Sequence, residues 1–295
     1  MNFIIDIVKG IFVGIANIIP GVSGGTMAVS LGIYDKLLSS ISNLLKQFKK
    51  SVMLLLPILI GCAIGIVGFS YAIKYLLAKQ PFITSMVFVG LILGGIPMLI
   101  MNRKEGKARD KHNTTAVNIL VFLIFLALAL ILPMLGGEES KGIELQTDVL
   151  SMIKLFFVGV IASATMVVPG VSGSLVLMIL GYYFGIIGSI TDFIDALKAF
   201  DVVQMMHLCM ILVPFGLGVL VGIFAIAKLI EWLFHNYCSA TYSGILGLIV
   251  ASPFAIFYKV DALSSVNLIN GIIGVLLLLI GALVTYQLGK REGNA

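Results

Sequence analysis

The stretch IIPGVSGGTMAVSLGIY, Ile18 to Tyr34, decides how the chain is read. Proline, glycine and small hydroxyl residues interrupt a sequence that is otherwise continuous apolar helix. Around it, 60% of the 295 residues are hydrophobic and only 11% charged, against roughly 25% charged in a soluble domain. Apolar runs recur at Val52–Ile73, Phe82–Met101, Ala116–Leu135, Leu208–Phe234, Tyr242–Tyr258 and Leu268–Leu288. Each is near the ~20 residues that cross a bilayer as helix. The expectation is an all-α integral membrane protein, multi-pass, whose basic residues lie in loops beside the spans and give no reason to expect nucleic acid. Cys62, Cys209 and Cys238 form no CxxC and read as small apolar residues. MNFIIDIVKG lacks the basic start and cleavage site of a signal peptide.

The opening stretch has a twin. Pro169-Gly170-Val171-Ser172-Gly173 repeats Pro20-Gly21-Val22-Ser23-Gly24, and Leu180-Gly181-Tyr182-Tyr183 answers Leu31-Gly32-Ile33-Tyr34. Downstream, Pro57, Gly61 and Gly65 match Pro214, Gly218 and Gly222 at equal spacing, and Gly90 matches Gly247. Similarity at a fixed offset over this length is a duplication. Repeat 1 is expected over 1–136, with a motif element at 10–45 and spans near 52–76, 82–101 and 116–135. An acidic linker follows at 137–150. Repeat 2 covers 151–295, with a motif element at 155–190 and spans near 207–234, 241–258 and 268–289. If each motif element is a re-entrant, broken-helix hairpin carrying PGVSG, each half keeps about three transmembrane helices and the halves have inverted topology. That arrangement puts Lys9, Lys36, Lys46, Lys49, Lys50, Arg103–Lys111, Lys228, Lys290 and Arg291 on the inner side, as the orientation bias of Lys and Arg demands. A single-span element, with parallel halves, puts fewer of them there.

Loose backbone groups in hydrocarbon cost several kcal/mol each, so a broken helix survives only where protein or a watery cavity covers it. Pro20 ends one helix and Gly21 allows the turn. Ser23 is the expected N-cap, and Gly24, Gly25 and Thr26 begin the next helix. The first amides of that helix lack internal partners and sit at the positive end of its dipole, which suits a phosphate or carboxylate. Ser172, Gly173 and Ser174 offer the same chemistry from the second half. The plainer use of such glycines is close helix packing, but packing alone rarely asks for the same proline and serine twice. Lys74, Lys228 and Glu231 lie near helix ends, Lys74 and Glu231 at nearly equivalent places in the two halves. They either snorkel to the interface or serve the headgroup and a coupling proton; Lys228 and Glu231, three apart, suit a mutual pair. Asp35 and Lys36 follow the first motif helix as interface anchors or as part of the same chemistry. No metal motif, nucleotide-binding loop or catalytic constellation is legible.

Asn17 through Thr26, Val168 through Gly173 and the following Gly32-Ile33-Tyr34 resemble the bacterial membrane family filed as domain of unknown function 368, associated with polyprenyl-phosphate transporters. The resemblance covers essentially the whole chain, duplication included, although Ser174-Leu175 replaces Gly25-Thr26 in the second motif. It implies a flippase in the bacterial plasma membrane that returns undecaprenyl phosphate, the lipid carrier of cell-wall synthesis, to the inner leaflet. It implies a phosphate site drawn from Asn17, Pro20, Gly21, Ser23, Gly24, Gly25, Thr26, Pro169, Gly170, Ser172, Gly173 and Ser174. No cofactor is expected; a coupling ion, H+ or Na+, and the oligomeric state are left open. Three rivals remain. One is a membrane prenyl-diphosphate phosphatase, which would need an arginine after the motif serine and paired glutamates on a membrane helix, neither of which this sequence shows. The second is a carrier of a small soluble anion, and the third a lipid-binding scaffold that transports nothing.

Overall fold

The computed structural model describes residues 3–19, 22–109, 114–135, 145–260, 263 and 266–293. Among them lie thirteen helices and no strand, α1 (Phe3–Ile18), α2 (Gly24–Ser30), α3 (Tyr34–Ser42), α4 (Phe48–Lys79), α5 (Pro81–Leu93), α6 (Ile96–Arg109), α7 (Thr115–Leu135), α8 (Val149–Val167), α9 (Gly173–Ile179), α10 (Tyr183–Ala199), α11 (Val202–Asn236), α12 (Cys238–Val260) and α13 (Leu268–Gly293). Seven helical stretches are long and apolar enough to span a bilayer, and each of the six apolar runs lies inside one of them; α8 is the seventh. Their outward faces are apolar. Along α7, Leu120, Leu123, Ile124, Leu128 and Ile131 are all exposed. A contiguous apolar face of that size is untenable in water and ordinary in lipid. The protein is therefore a multi-pass helical membrane protein.

Two compact units form. The first comprises 1–133, 168–171 and 227–295, the second 134–167 and 172–226. The same glycine-lined seam is built in each. In the first unit α1 lies against α4, with Gly10 on the Ile58 carbonyl, Gly61 on that of Ile7 and Gly65 on that of Ile11. In the second, α8 lies against α11, with Gly159 on Phe215, Gly218 on Phe156 and Gly222 on Val160. Every one of these contacts recurs between duplicated positions, 149 residues apart from α1 to α8 and 157 apart from α4 to α11. A Cβ at any of these positions would lie inside contact distance of a neighbouring backbone oxygen, so only glycine lets the helices approach this closely. Within the first unit the last helix of each half packs on the other half. Gly90 of α5 meets Leu278 of α13, and Gly247 of α12 meets Phe122 of α7, where Asn118 also donates to Ser239 Oγ at 3.0 Å.

The two motif helices are also twins. Each is seven residues long and begins at an extended serine, Ser23 (φ −100°, ψ 136°) and Ser172 (φ −99°, ψ 121°). Each ends in a Schellman motif. Gly32 N–H donates to Val29 O and Ile33 N–H to Ala28 O; Gly181 N–H donates to Met178 O and Tyr182 N–H to Leu177 O. The motif needs a left-handed residue after the C-cap, and Gly32 (φ 74°) and Gly181 (φ 80°) supply it. That is the reason for the glycine in the repeated Leu-Gly-x-Tyr tail. In the second copy, α9 and α10 meet at a bend of 110°.

Candidate functional site

The motif begins where α1 ends. Asn17 donates to the Val13 carbonyl at 3.0 Å, which turns its side chain back along α1 and against Gly24. A Cβ at residue 24 would stand 2.6 Å from both the Asn17 amide nitrogen and oxygen, so Gly24 is required by this contact. In the second copy Met166 fills the slot of Asn17 and lies against Gly173. An amide at this corner therefore exists in one copy only. Pro20 and Gly21 lie outside the described residues.

Ser23 occupies the N-cap position as expected, and its carbonyl accepts the Met27 N–H at 3.2 Å. Its hydroxyl, however, makes no capping bond, although the residue is buried. Ser172 likewise holds the N-cap position without a side-chain cap; its hydroxyl lies 2.8 Å from that of Ser174. The serines are thus positioned as caps, but neither hydroxyl caps the helix backbone. Gly25 is half-buried in the first turn of α2.

Thr26 makes a contact to the second copy: its Oγ1 accepts the Gly170 N–H at 2.6 Å, and the residue is 1% exposed. Gly170 takes φ 79°, and a Cβ there would meet Leu248 Cβ at 2.7 Å. Pro169 beside it is buried. The front of the second PGVSG therefore docks on the helix of the first, and the docking requires glycine twice over, for its φ and for its lack of a side chain. Nothing in the sequence singled out this bond, because residues 26 and 170 are not equivalent positions of the repeat.

The charged residues sort differently from the sequence reading. Among the described residues Glu231 takes a hydrogen bond from Asn43 Nδ2 at 3.2 Å rather than pairing with Lys228, because the turn after α3 reaches α11 first. Lys228 and Glu231 line a groove of about 500 Å³ together with Ser42, Asn43, Lys46, Trp232 and His235. The Lys74 side chain lies outside the described residues. Lys36 is no loose anchor, since it pairs with Asp6 at 2.7 Å, where Asp6 is almost fully buried. Asp35 accepts the Tyr242 hydroxyl at 2.7 Å. Asp6 and Lys9, both fully buried on α1, were overlooked as site residues. The available signal was an Asp and a Lys three apart in an otherwise apolar helix, which membrane burial makes expensive and hence informative.

A duplicated broken-helix motif, embedded in glycine-seamed spans with an apolar exterior, defines a polytopic membrane protein of the repeat-built kind. The chain belongs to the VCA0040-like family, described as undecaprenyl phosphate translocase-like, whose model matches residues 13–271. It is 31% identical over 289 residues to a polyprenyl-phosphate transporter of Staphylococcus aureus strain NCTC 8325, covering 97% of this chain and 96% of that one. It is 28% identical over 267 residues to a polyprenyl-phosphate transporter of Vibrio cholerae serotype O1, covering 85% of this chain and 77% of that one. Both relatives carry the name of a transporter, not of an enzyme. No solved structure matches the chain.

Proposed function

We propose that this protein is a transporter of polyprenyl phosphate in the bacterial plasma membrane, and not an enzyme. Its substrate is undecaprenyl phosphate, moved from the outer to the inner leaflet so that the carrier can be reused in cell-wall synthesis. A phosphate head does not cross ~30 Å of hydrocarbon unaided, whereas the prenyl tail is at home there. The protein therefore has one task, to give the head a polar path while the tail stays in lipid.

The observation that carries this reading is the Gly170–Thr26 hydrogen bond, which joins the two copies of a polar, backbone-rich motif inside an apolar bundle. In the proposed architecture the halves are inverted repeats and each motif is a re-entrant hairpin. The recurrence of the seam glycine contacts at duplicated positions supports the repeat, and the 110° bend between α9 and α10 supports the hairpin. Each copy offers its own helix-start amides and serine hydroxyls to a headgroup, at Ser23, Gly24 and Gly25 beside Asn17 in the first and at Ser172, Gly173 and Ser174 in the second. Pro169 breaks the helix that would otherwise close the path in the second copy. The glycine seams let each pair of helices slide, and a proton or sodium gradient gives the direction.

The test is a leaflet-resolved flip assay with undecaprenyl phosphate in proteoliposomes. Ser23→Ala with Ser172→Ala removes both N-cap hydroxyls and leaves the backbone intact; transport should fall at least about tenfold, the loss expected for two hydrogen bonds to a charged group. Transport at the native rate in that double variant overturns the site. Release of inorganic phosphate from a prenyl diphosphate would restore the hydrolase alternative.

A further inference from the structure

The groove at the end of α11 is separate from the PGVSG motifs. Lys228, Glu231, Trp232 and His235 are spaced i, i+3, i+4 and i+7, so they form one stripe over the last two turns. The facing wall is the turn Ser42–Lys46, which closes α3. Asn43 fixes that wall. Its Nδ2 donates to Ser39 O at 3.0 Å and lies 3.2 Å from Glu231 Oε1, while its carbonyl accepts the Gln47 N–H at 2.8 Å. Glu231 is thereby drawn to the Asn43 side. Among the described residues Lys46 and Lys228 have no ion-pair partner, and both are exposed to the groove. The lining thus carries an excess of positive charge in a cleft of about 500 Å³, a volume typical of ligand sites. The C-terminal end of α11 repels an anion, so the lysines are the recognition element and not the helix.

Depth and surroundings define the guest. Trp232 and Tyr237 pack edge to face at 5.7 Å and suit the aromatic belt at headgroup level. Leu45 and Leu229, both exposed beside the groove, offer an apolar flank to an acyl or prenyl chain. Lys46, Lys49 and Lys50 mark this end as cytoplasmic. We infer that this groove is a second anion site, at the inner membrane face, for the phosphomonoester head of a lipid. A monoester carries up to two charges and three acceptor oxygens, which two lysines and a histidine can engage together; a phosphodiester carries one charge. On the transport reading proposed above, the groove is where the headgroup is released to the inner leaflet.

Trp232 is the chain's single tryptophan, so emission excited selectively from tryptophan reports on this groove alone. The full chain in detergent is titrated with farnesyl phosphate, with inorganic phosphate and with phosphatidylglycerol vesicles. Farnesyl phosphate should change Trp232 emission saturably. Inorganic phosphate should bind far more weakly, and phosphatidylglycerol should not compete. Lys46→Gln with Lys228→Gln should weaken farnesyl phosphate at least about tenfold, while Lys46→Arg with Lys228→Arg, which keeps the charge, should retain it. No saturable change overturns the inference, as does native affinity in the glutamine variant or equal competition by phosphatidylglycerol. Ser23→Ala with Ser172→Ala should leave this titration at native affinity. Binding here without any flipping would sink the transport reading and leave the groove standing.

Discussion

Thr26→Val removes the acceptor of the Gly170 N–H and almost nothing else. Valine keeps the shape and β-branching of threonine in a site that is 1% exposed, so packing is preserved. The 2.6 Å bond is lost, and the amide of a half-buried glycine is left without a partner. A made hydrogen bond contributes about 1 kcal/mol net, but an orphaned buried donor costs about 1–3 kcal/mol, so the second figure governs. At 1.4 kcal/mol per factor of ten, the docked arrangement of the two motifs should be disfavoured about 5- to 100-fold. Gly170 cannot easily find a substitute, because its φ of 79° and its contact with Leu248 fix where the N–H points. Thr26→Ser retains the oxygen and should remain near the native protein. The assay is the leaflet-resolved flip rate in proteoliposomes, run beside the thermal midpoint of each variant. Valine should lower both; serine should lower neither by much. A valine variant with native rate and native midpoint would show that the docking of the motifs is incidental.

Other expectations can be checked by similar means. Gly61→Leu and Gly218→Leu, equivalent positions in the two seams, should each prevent close approach of the paired helices and abolish folded protein on size exclusion, since each Cβ would strike a backbone carbonyl. Gly32→Ala and Gly181→Ala should each lower the thermal midpoint by an amount equivalent to about 1–2 kcal/mol, the cost of a left-handed alanine. Lys36→Met alone should destabilise by about 3–5 kcal/mol by stranding Asp6, whereas Lys36→Met with Asp6→Leu should recover most of that loss. At the start of α8, Asp148 accepts the Ser151 N–H at 3.2 Å, and its hydrogen bonds to Ser151 hold its carboxyl below the usual range. A depressed carboxylate stabilises above its unfolded pKa and loses that contribution as pH falls through the folded one, so protection of the first α8 amides from hydrogen exchange should fade on acidification.

Much of the fold was legible because glycine, proline and apolar runs act locally. Ser23 and Ser172 announced helix starts, and the matched glycines Gly61/Gly218 and Gly65/Gly222 announced a duplicated design, whereas the helix ends at Gly32 and Gly181 emerged only from their left-handed backbone. What stayed hidden depends on residues far apart in the chain. The Thr26–Gly170 bond joins non-equivalent positions of the two copies, so no repeat pattern points to it. The exchange of α7 and α13 between the halves is invisible for the same reason, since apolar runs carry no record of which run they meet. Glu231 showed a lysine at a helical spacing, yet its partner is Asn43, which comes from a turn 188 residues away in sequence.

The duplication copied backbone devices more faithfully than charges, and the difference has a mechanical consequence. At the offset of the motif, Asp6 and Lys9 correspond to Leu155 and Val158, both buried, and Lys36 corresponds to Gly185. One copy ties its first helix to α3 through the Lys36–Asp6 pair. The other closes the same corner with an apolar cluster of Val158, Ala162, Leu177 and Ile186, flanked by Tyr182, Tyr183 and Phe215. A buried ion pair is directional, and losing one partner is costly. An apolar contact is non-directional and tolerates a slide at smaller cost. The two corners should therefore differ in stiffness, with the first held and the second free to move. Amide hydrogen exchange gives the comparison, expecting slower exchange in α2 and α3 than in α9 and α10. Equal rates would mean that the ion pair adds no rigidity and that the asymmetry of charge has no mechanical role.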